Sequence, residues 1–328
     1  MLNKPWLKLV FKLALFCLLI WILAANFDWR AALGRLGDVK PGSASLAFGT
    51  GLVLLVHNTV RWRVVMAATS SSLAFLNTFR ILLIGVFFNQ TLPSSAGGDP
   101  VRMYLAGKAE LDMKDAISGV ILERVATLLG LVILVVASQP FLLARIGDNP
   151  LKWFFPGLAV ALLAGVLVLM FLDRLPGRLG RLWLFRALFR LSENARGLFL
   201  APRYAGQAVA LGVTGNILLA LMVFFLARSL DLGIGFMDCL VLVPPVILVS
   251  TVPIMPGGWG VREFGMIAAF GLIGINAENA LALSILFGFM SVLLGLPGGI
   301  LWLASGYRRK DVAQEMDSSA AEIRFSRS

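Results

Sequence analysis

The sequence predicts an all-α polytopic membrane protein, with about six full transmembrane helices and two opposed re-entrant, broken-helix hairpins in an inverted-repeat-like order. Three observations predict it. Of 328 residues, 59% are hydrophobic and 14% are charged, and apolar runs of about 18 or more residues recur along the chain, as membrane-spanning helices require. Two of the apolar segments are interrupted in the same way. Residues 90–102 and 252–263 both follow a hydrophobic run, break it with Pro, and share the frame Gly-Gly-x-x-Val-Arg, which aligns Gly97 with Gly257, Gly98 with Gly258, and Arg102 with Arg262. A Gly/Pro-interrupted apolar segment recurring in two halves of a membrane protein points to a transport site near the midplane. The third observation is the placing of positive charge, taken up below.

In chain order, Lys4, Lys8 and Lys12 precede an apolar run at 13–25. A signal peptide cut near Ala24-Ala25 is one reading; a retained first span, with the lysines on one helical face reaching a cytoplasmic interface, is preferred. A loop at 26–42 leads to a span at 43–60, which ends in Arg61-Trp62-Arg63, an aromatic flanked by cations as at an interface. The apolar stretch 81–92 is only about 12 residues, roughly 18 Å as helix against about 30 Å of hydrocarbon. It predicts a hairpin with a non-helical turn at 93–100, tolerated at depth only where protein buries it or a wet cavity lies beside it. Spans follow at 116–138, which carries Glu123-Arg124, and at 153–172. Residues 174–203 set seven arginines among Leu, Trp and Phe, the pattern of a cationic amphipathic helix in the headgroup plane. Further spans are expected at 205–227 and 277–304, with 237–255 and 261–275 as arms around the second motif. The domain reading is a transmembrane unit over 1–305, with halves at about 1–138 and 153–305, and a disordered cytoplasmic tail over 306–328.

Charge tests this order. Eight full crossings starting inside would put the 174–203 arginines outside, against the positive-inside rule. If each motif segment returns to its own side, the N-terminus, 61–80, 174–203 and the C-terminal basic cluster all fall inside. The rule counts hairpin arms only in pairs, so it does not separate a re-entrant second hairpin from a crossing one. The net charge of +11 then belongs to cytoplasmic loops and anionic lipid surfaces, and not to nucleic acid. One His and two Cys, Cys17 and Cys239, leave little room for metal or disulfide frameworks. No nucleotide loop, metal-ligand cluster or Ser/His/Asp arrangement is present in the sequence. No cofactor, metal or catalytic residue is expected.

The motif chemistry favours an anion. Gly97, Gly98, Gly257 and Gly258 let backbone N–H groups approach a ligand, and a helix start adds free donors and a positive dipole end. Arg102 and Arg262, expected in the first turn, add a fork of donors matched to phosphate. The plainer alternative is close helix packing with both arginines reaching the interface. Glu123 and Arg124 leave a helix about 100° apart and are expected to pair across helices, Glu123 with Arg102 or Arg262. They mark either a coupling site or a structural ion pair. Glu263 is either a partner of Arg262 or a proton-coupled carboxylate; Asp99 either caps the helix after the first hairpin or repels wrong anions. Asn89, Gln90, Asn216 and His57 are candidates to line the same cavity. For the amides, interhelical hydrogen bonding is the alternative, and for His57 a hydrogen-bonded place near the interface beside Arg61.

At these motifs the sequence resembles the flippase-like membrane domain of lysylphosphatidylglycerol synthases, which also occurs free-standing at about this length. The resembling stretches are 89–102, Glu123-Arg124-Val125-Ala126 and 256–263, within a likeness running from about residue 8 to 305. The resemblance implies a bacterial inner membrane, with lipid translocation and the motif arginines and glutamates as substrate or coupling residues. In the synthases this region accompanies a soluble aminoacyl-transfer domain. The tail after Ala304 is too short to hold one, so lysine transfer is not expected of this chain.

The expected function is therefore translocation of an anionic lipid or lipid-linked headgroup, of phospholipid or polyprenyl-phosphate type, between leaflets. The termini are expected in the cytoplasm, with anionic membrane lipids as partners and a soluble or membrane lipid-modifying enzyme as a further one. The rivals are a membrane scaffold for such an enzyme and a membrane lipid transferase. The lipid, the direction, the energy source and the oligomeric state are not set by the sequence.

Overall fold

The computed structural model describes residues 33–69, 72–91, 97–109, 111–146, 183–250 and 259–305, with a few positions between 157 and 171. The first predicted span, most of the one at 153–172, the tail, and Gly257 and Gly258 lie outside the described residues. The described residues are helical with no strand among them. Pro41–Ala68 forms α1, Phe75–Thr91 α2, Gly98–Lys108 α3, Met113–Ile146 α4, Trp183–Phe199 α5, Pro202–Ser229 α6, Phe236–Ser250 α7, Val261–Gly271 α8 and Ala277–Ala304 α9. Four of these, α1, α4, α6 and α9, are long and apolar enough to cross a membrane. The chain is an all-α, multi-pass membrane protein.

Local chemistry sets the helix starts. Pro41 and Pro202 open α1 and α6 at positions where the missing N–H would have no helical partner. Asn276 caps α9, its Oδ1 accepting from the N–H of Asn279 at 3.1 Å. Gly260 precedes α8 with φ +86°, a conformation that suits glycine.

Several boundaries differ from the sequence reading, and α4 runs eight residues past 138 to Ile146. Helix α1 runs on through Arg61-Trp62-Arg63 to Ala68, because the apolar segment 64–68 contains no Gly or Pro to stop it. Helix α2 begins at Phe75, six residues before 81, so Asn77, Thr78 and Arg80 form its polar first turns. It has 17 residues, about 25 Å of helix.

Helix α1 lies along α6, α6 along α4, and α9 along α2. Two glycine contacts bring backbones together. A Cβ on Gly130 of α4 would fall 2.1 Å from the Gly212 carbonyl carbon of α6, and one on Gly298 of α9 would fall 2.0 Å from the Leu83 oxygen of α2. Small residues at such crossings let dispersion and close packing drive association where lipid gives no hydrophobic gain. Helices α2 and α3 run antiparallel: Gly98 at the start of α3 packs on Gly85 and Asn89, and the far end of α3 meets Asn77 and Arg80 at the start of α2. Helix α5 places Leu191, Ala195 and Leu198 against Val65, Leu122, Ala126 and Ala208.

Candidate anion-binding site

The first motif meets α1 and α4 in a buried cluster of charge. Glu123 of α4 is 2% exposed. Its Oε1 accepts from Arg61 Nε at 2.9 Å and its Oε2 from Arg102 Nη1 at 3.1 Å. Asp99, in the first turn of α3, accepts a two-pronged bond from Arg124, Nε at 2.8 Å and Nη2 at 2.9 Å, and lies 3.5 Å from Arg102 Nη1. Adjacent on α4, Glu123 and Arg124 thus turn to different partners. The cluster joins α1, α3 and α4. Its three guanidinium groups face two carboxylates, leaving one positive charge in surplus.

Arg102 carries that surplus. Its guanidinium carbon stands 4.2 Å from the Trp62 ring centroid, a cation–π stack. Arg102 is 5% exposed, yet among the described residues its Nε and Nη2 have no hydrogen-bond partner, and neither do Trp62 Nε1 and Gln90 Oε1. A buried donor left unmade costs about 1–3 kcal/mol, and more where it is charged. Gly85 makes room for this side chain, since a Cβ there would fall 2.5 Å from Arg102 Cγ.

The second motif builds a smaller cluster. Glu263 Oε1 accepts from Arg262 Nε at 3.2 Å, Arg262 Nη2 at 2.7 Å and the Ser284 hydroxyl of α9 at 3.0 Å. Its Oε2 accepts the Gly260 N–H at the start of α8. Arg262 lies 4.6 Å from the Trp259 ring and 5.2 Å from the Phe287 ring. One cation meets one carboxylate here. The two clusters share no residue.

Several expectations are corrected. Arg102 is not in the first turn: α3 starts at Gly98, which puts Arg102 in the second turn and gives Asp99 the helix start. Arg262 is in the first turn of α8. Asp99 does not cap α3; Gly97 holds the cap position without a side-chain bond, and Asp99 binds Arg124. Glu123 does pair with Arg102, one of the two arginines expected for it, and in addition with Arg61. Gly98 abuts Gly85, where a Cβ would fall 1.9 Å from the Gly85 oxygen. Asn89 Oδ1 accepts the Gly98 N–H at 2.8 Å, tying the end of α2 to the start of α3. Asn216 donates to the Gly212 oxygen at 2.8 Å and the Thr127 oxygen of α4 at 3.3 Å, a bond between helices. His57 Nε2 lies 2.8 Å from Thr214 Oγ1, and its Nδ1 has no partner among the described residues. Gly215 packs between His57 and Arg61.

Arg61, Trp62 and Ser284 were missed as site residues. Arg61 and Trp62 are 5% and 0% exposed, not interfacial; of that triplet, Arg63 turns to the helix end, where its Nε donates to the Leu73 oxygen at 3.2 Å. The signal available was the uninterrupted apolar run after Arg63, and Arg61 four residues beyond His57, on the same helix face.

Among the described residues no group of three or more His, Cys, Asp or Glu could hold a metal. The family model of the lysylphosphatidylglycerol synthase transmembrane region matches residues 9–299. A UPF0104 membrane protein of Methanothermobacter thermautotrophicus is 23% identical over 311 residues, covering 82% of this chain and 86% of its own. A second from the same organism is 24% identical over 259 residues, covering 71% and 76%. One from Methanocaldococcus jannaschii is 33% identical over 90 residues, 27% of each chain.

Proposed function

Because this chain belongs to the family of lysylphosphatidylglycerol synthase transmembrane regions, a non-catalytic flippase-like family, we propose that it moves the headgroup of an anionic lipid between membrane leaflets. One observation carries the reading: Arg102 is buried in a cluster with one surplus positive charge, and two of its donors have no partner among the described residues. A phosphate oxygen satisfies both needs, because it brings negative charge and accepts from the guanidinium fork. The acyl or prenyl tail stays in the bilayer while the headgroup passes through protein.

In this mechanism α2–α3 and α7–α8 act as two opposed re-entrant hairpins of an inverted repeat, among about six full spans. The phosphate docks at Arg102 beside the start of α3. Arg262 meets it as the second hairpin moves, released from Glu263, while Glu123 keeps Arg61. Exchange of carboxylate partners is the step that alternates access. Basic residues support an orientation: Arg63, Arg80, Lys108, Lys114 and Arg203 gather at the ends of α1 to α4 and α6 on one face, which the positive-inside rule makes cytoplasmic.

The test is transbilayer movement in proteoliposomes of labelled phosphatidylglycerol, a polyprenyl phosphate and phosphatidylcholine, with and without a proton gradient. Faster movement of either anionic lipid than of phosphatidylcholine is expected. Equal background rates for all three would overturn the proposal, and gradient dependence would separate a coupled carrier from a downhill one.

A further inference from the structure

His57 is the single histidine of the chain, and the first ion cluster begins one helical turn beyond it, at Arg61. Its surroundings fix the position of its hydrogen. Thr214 Oγ1 of α6 donates its own hydrogen to the Ala210 oxygen at 2.9 Å, so towards His57 Nε2, at 2.8 Å, it accepts. The neutral ring therefore carries its hydrogen on Nε2, and Nδ1 is a bare lone pair. That lone pair has no partner among the described residues. Neither has the Oδ1 of Asn58, the next residue along, whose side chain bears on the ring. Both atoms are buried acceptors, and one acceptor does not satisfy another. A proton on Nδ1 makes the ring a donor for Asn58 and leaves the Thr214 bond as it is.

The ring also faces the cluster. A Cβ on Gly215 would fall 2.8 Å from Arg61 Nη1 and 3.4 Å from His57 Nδ1, so both side chains rest against α6 at this glycine. Arg61, on the same helix, is the charged group facing the ring. Helix α6 faces it with Thr214 and Gly215, which carry no charge, and α4 lies beyond Arg61 with Glu123. His57 is half-buried beside an exposed Thr214, so the ring is not sealed inside the bundle. Charge links its proton to the ligand. Arg61 and Arg102 share Glu123, in a cluster whose positive charge exceeds its negative charge by one. A protonated His57 doubles that surplus, and an anionic headgroup at Arg102 lowers it. Each therefore favours the other, by the same factor in both directions. Two charges on the order of 10 Å apart, at an effective dielectric of about 20, couple by about tenfold in affinity.

We propose that His57 is a proton-binding site linked to the anionic headgroup at Arg102, so that proton and headgroup are taken up together. The inference rests on the translocation role proposed above and names the proton as its coupling ion.

The experiment uses the full chain without a polyhistidine tag, isotope-labelled in its ring nitrogens, in phosphatidylcholine nanodiscs with and without phosphatidylglycerol. A single histidine gives one pair of ring-nitrogen resonances, which are followed from about pH 5 to about pH 8. In the neutral ring the hydrogen is expected on Nε2. Phosphatidylglycerol should tighten proton binding about tenfold, and Arg102→Gln should abolish that gain. In the wild type the gain should also survive about 1 M salt, which screens a membrane surface potential to about 3 Å; this arm stands even if the variant folds poorly. Proton binding indifferent to phosphatidylglycerol, a gain equal in Arg102→Gln, a gain removed by salt, or a ring neutral throughout would each overturn the proposal. Lipid movement in proteoliposomes keeps the two readings apart. Linked binding in a protein that moves no lipid would retain the proton site and remove the transport reading. Movement of phosphatidylglycerol by a protein whose His57 ignores the lipid would do the reverse. Where lipid moves, His57→Gln should respond to a proton gradient less than the wild type, and an equal response would overturn the coupling.

Discussion

The two copies of Gly-Gly-x-x-Val-Arg share a frame and differ in what they do with the arginine. Arg102 is held by groups from three helices, shares a carboxylate with Arg61, and has two donors without a partner among the described residues. Arg262 is held by the residue next to it, with a hydroxyl completing the pair. The helix starts account for part of this. Helix α3 begins at the second glycine of the frame, and α8 begins three positions later at the valine. The same Arg is therefore beyond the first turn in one copy and within it in the other, where the N3 carboxylate of Glu263 reaches both the helix start and its neighbour. Duplicated sequence does not mean duplicated readiness. The first copy sits in a cluster with surplus positive charge, and the second is closed on itself.

Substitutions can break this contrast, and the largest effect is expected at Glu123. Glu123→Gln takes from Arg61 and Arg102 the carboxylate they share. The loss should be about 3–5 kcal/mol, read as a fall in thermal stability in detergent. A stability equal to the wild type would mean that lipid or water already compensates these guanidinium groups. Next comes Gly98→Ala, which sets a methyl against the Gly85 carbonyl and should cost about 1–3 kcal/mol or more; unchanged melting would show that α2 and α3 are less tightly joined than the contact implies.

Arg262→Gln should destabilise by about 1–3 kcal/mol, less than Glu123→Gln, since Glu263 retains Ser284 and the Gly260 N–H. Arg102→Gln should change stability by less than about 1 kcal/mol. It gives up the Trp62 stack and the Glu123 bond, but leaves two cations facing two carboxylates. If Arg102→Gln melts lower than Arg262→Gln, Arg102 and not Arg262 is the arginine on which the resting fold depends more. The smallest effect is expected at Asn216→Ala, one bond between membrane helices worth about 0.6 kcal/mol; a loss several times larger would give Asn216 a role beyond joining α6 to α4.

The long helices were legible because the membrane imposes length and composition, and 277–304 was read to the residue. Helix ends were less so. Arg61 and Trp62 looked interfacial because cations and aromatics usually are, and only tertiary contact with Glu123 and Arg102 shows why a charge belongs there. The site's residue types were visible in Arg102, Glu123, Arg124 and Asp99. Their pairing was not, because Asp99 and Arg124 meet only when α3 folds back beside α4. Ser284 gave no local signal at all: a serine in an apolar helix is unremarkable until Glu263 packs against it.

The most direct test of the account is the rate of phosphatidylglycerol movement per folded molecule in Arg102→Gln proteoliposomes, beside the wild type. Background movement from a protein that melts like the wild type is the result predicted, with the surplus charge serving the ligand and not the fold. Wild-type movement by the folded variant would contradict it, and Arg102 would then be one more member of a structural ion cluster.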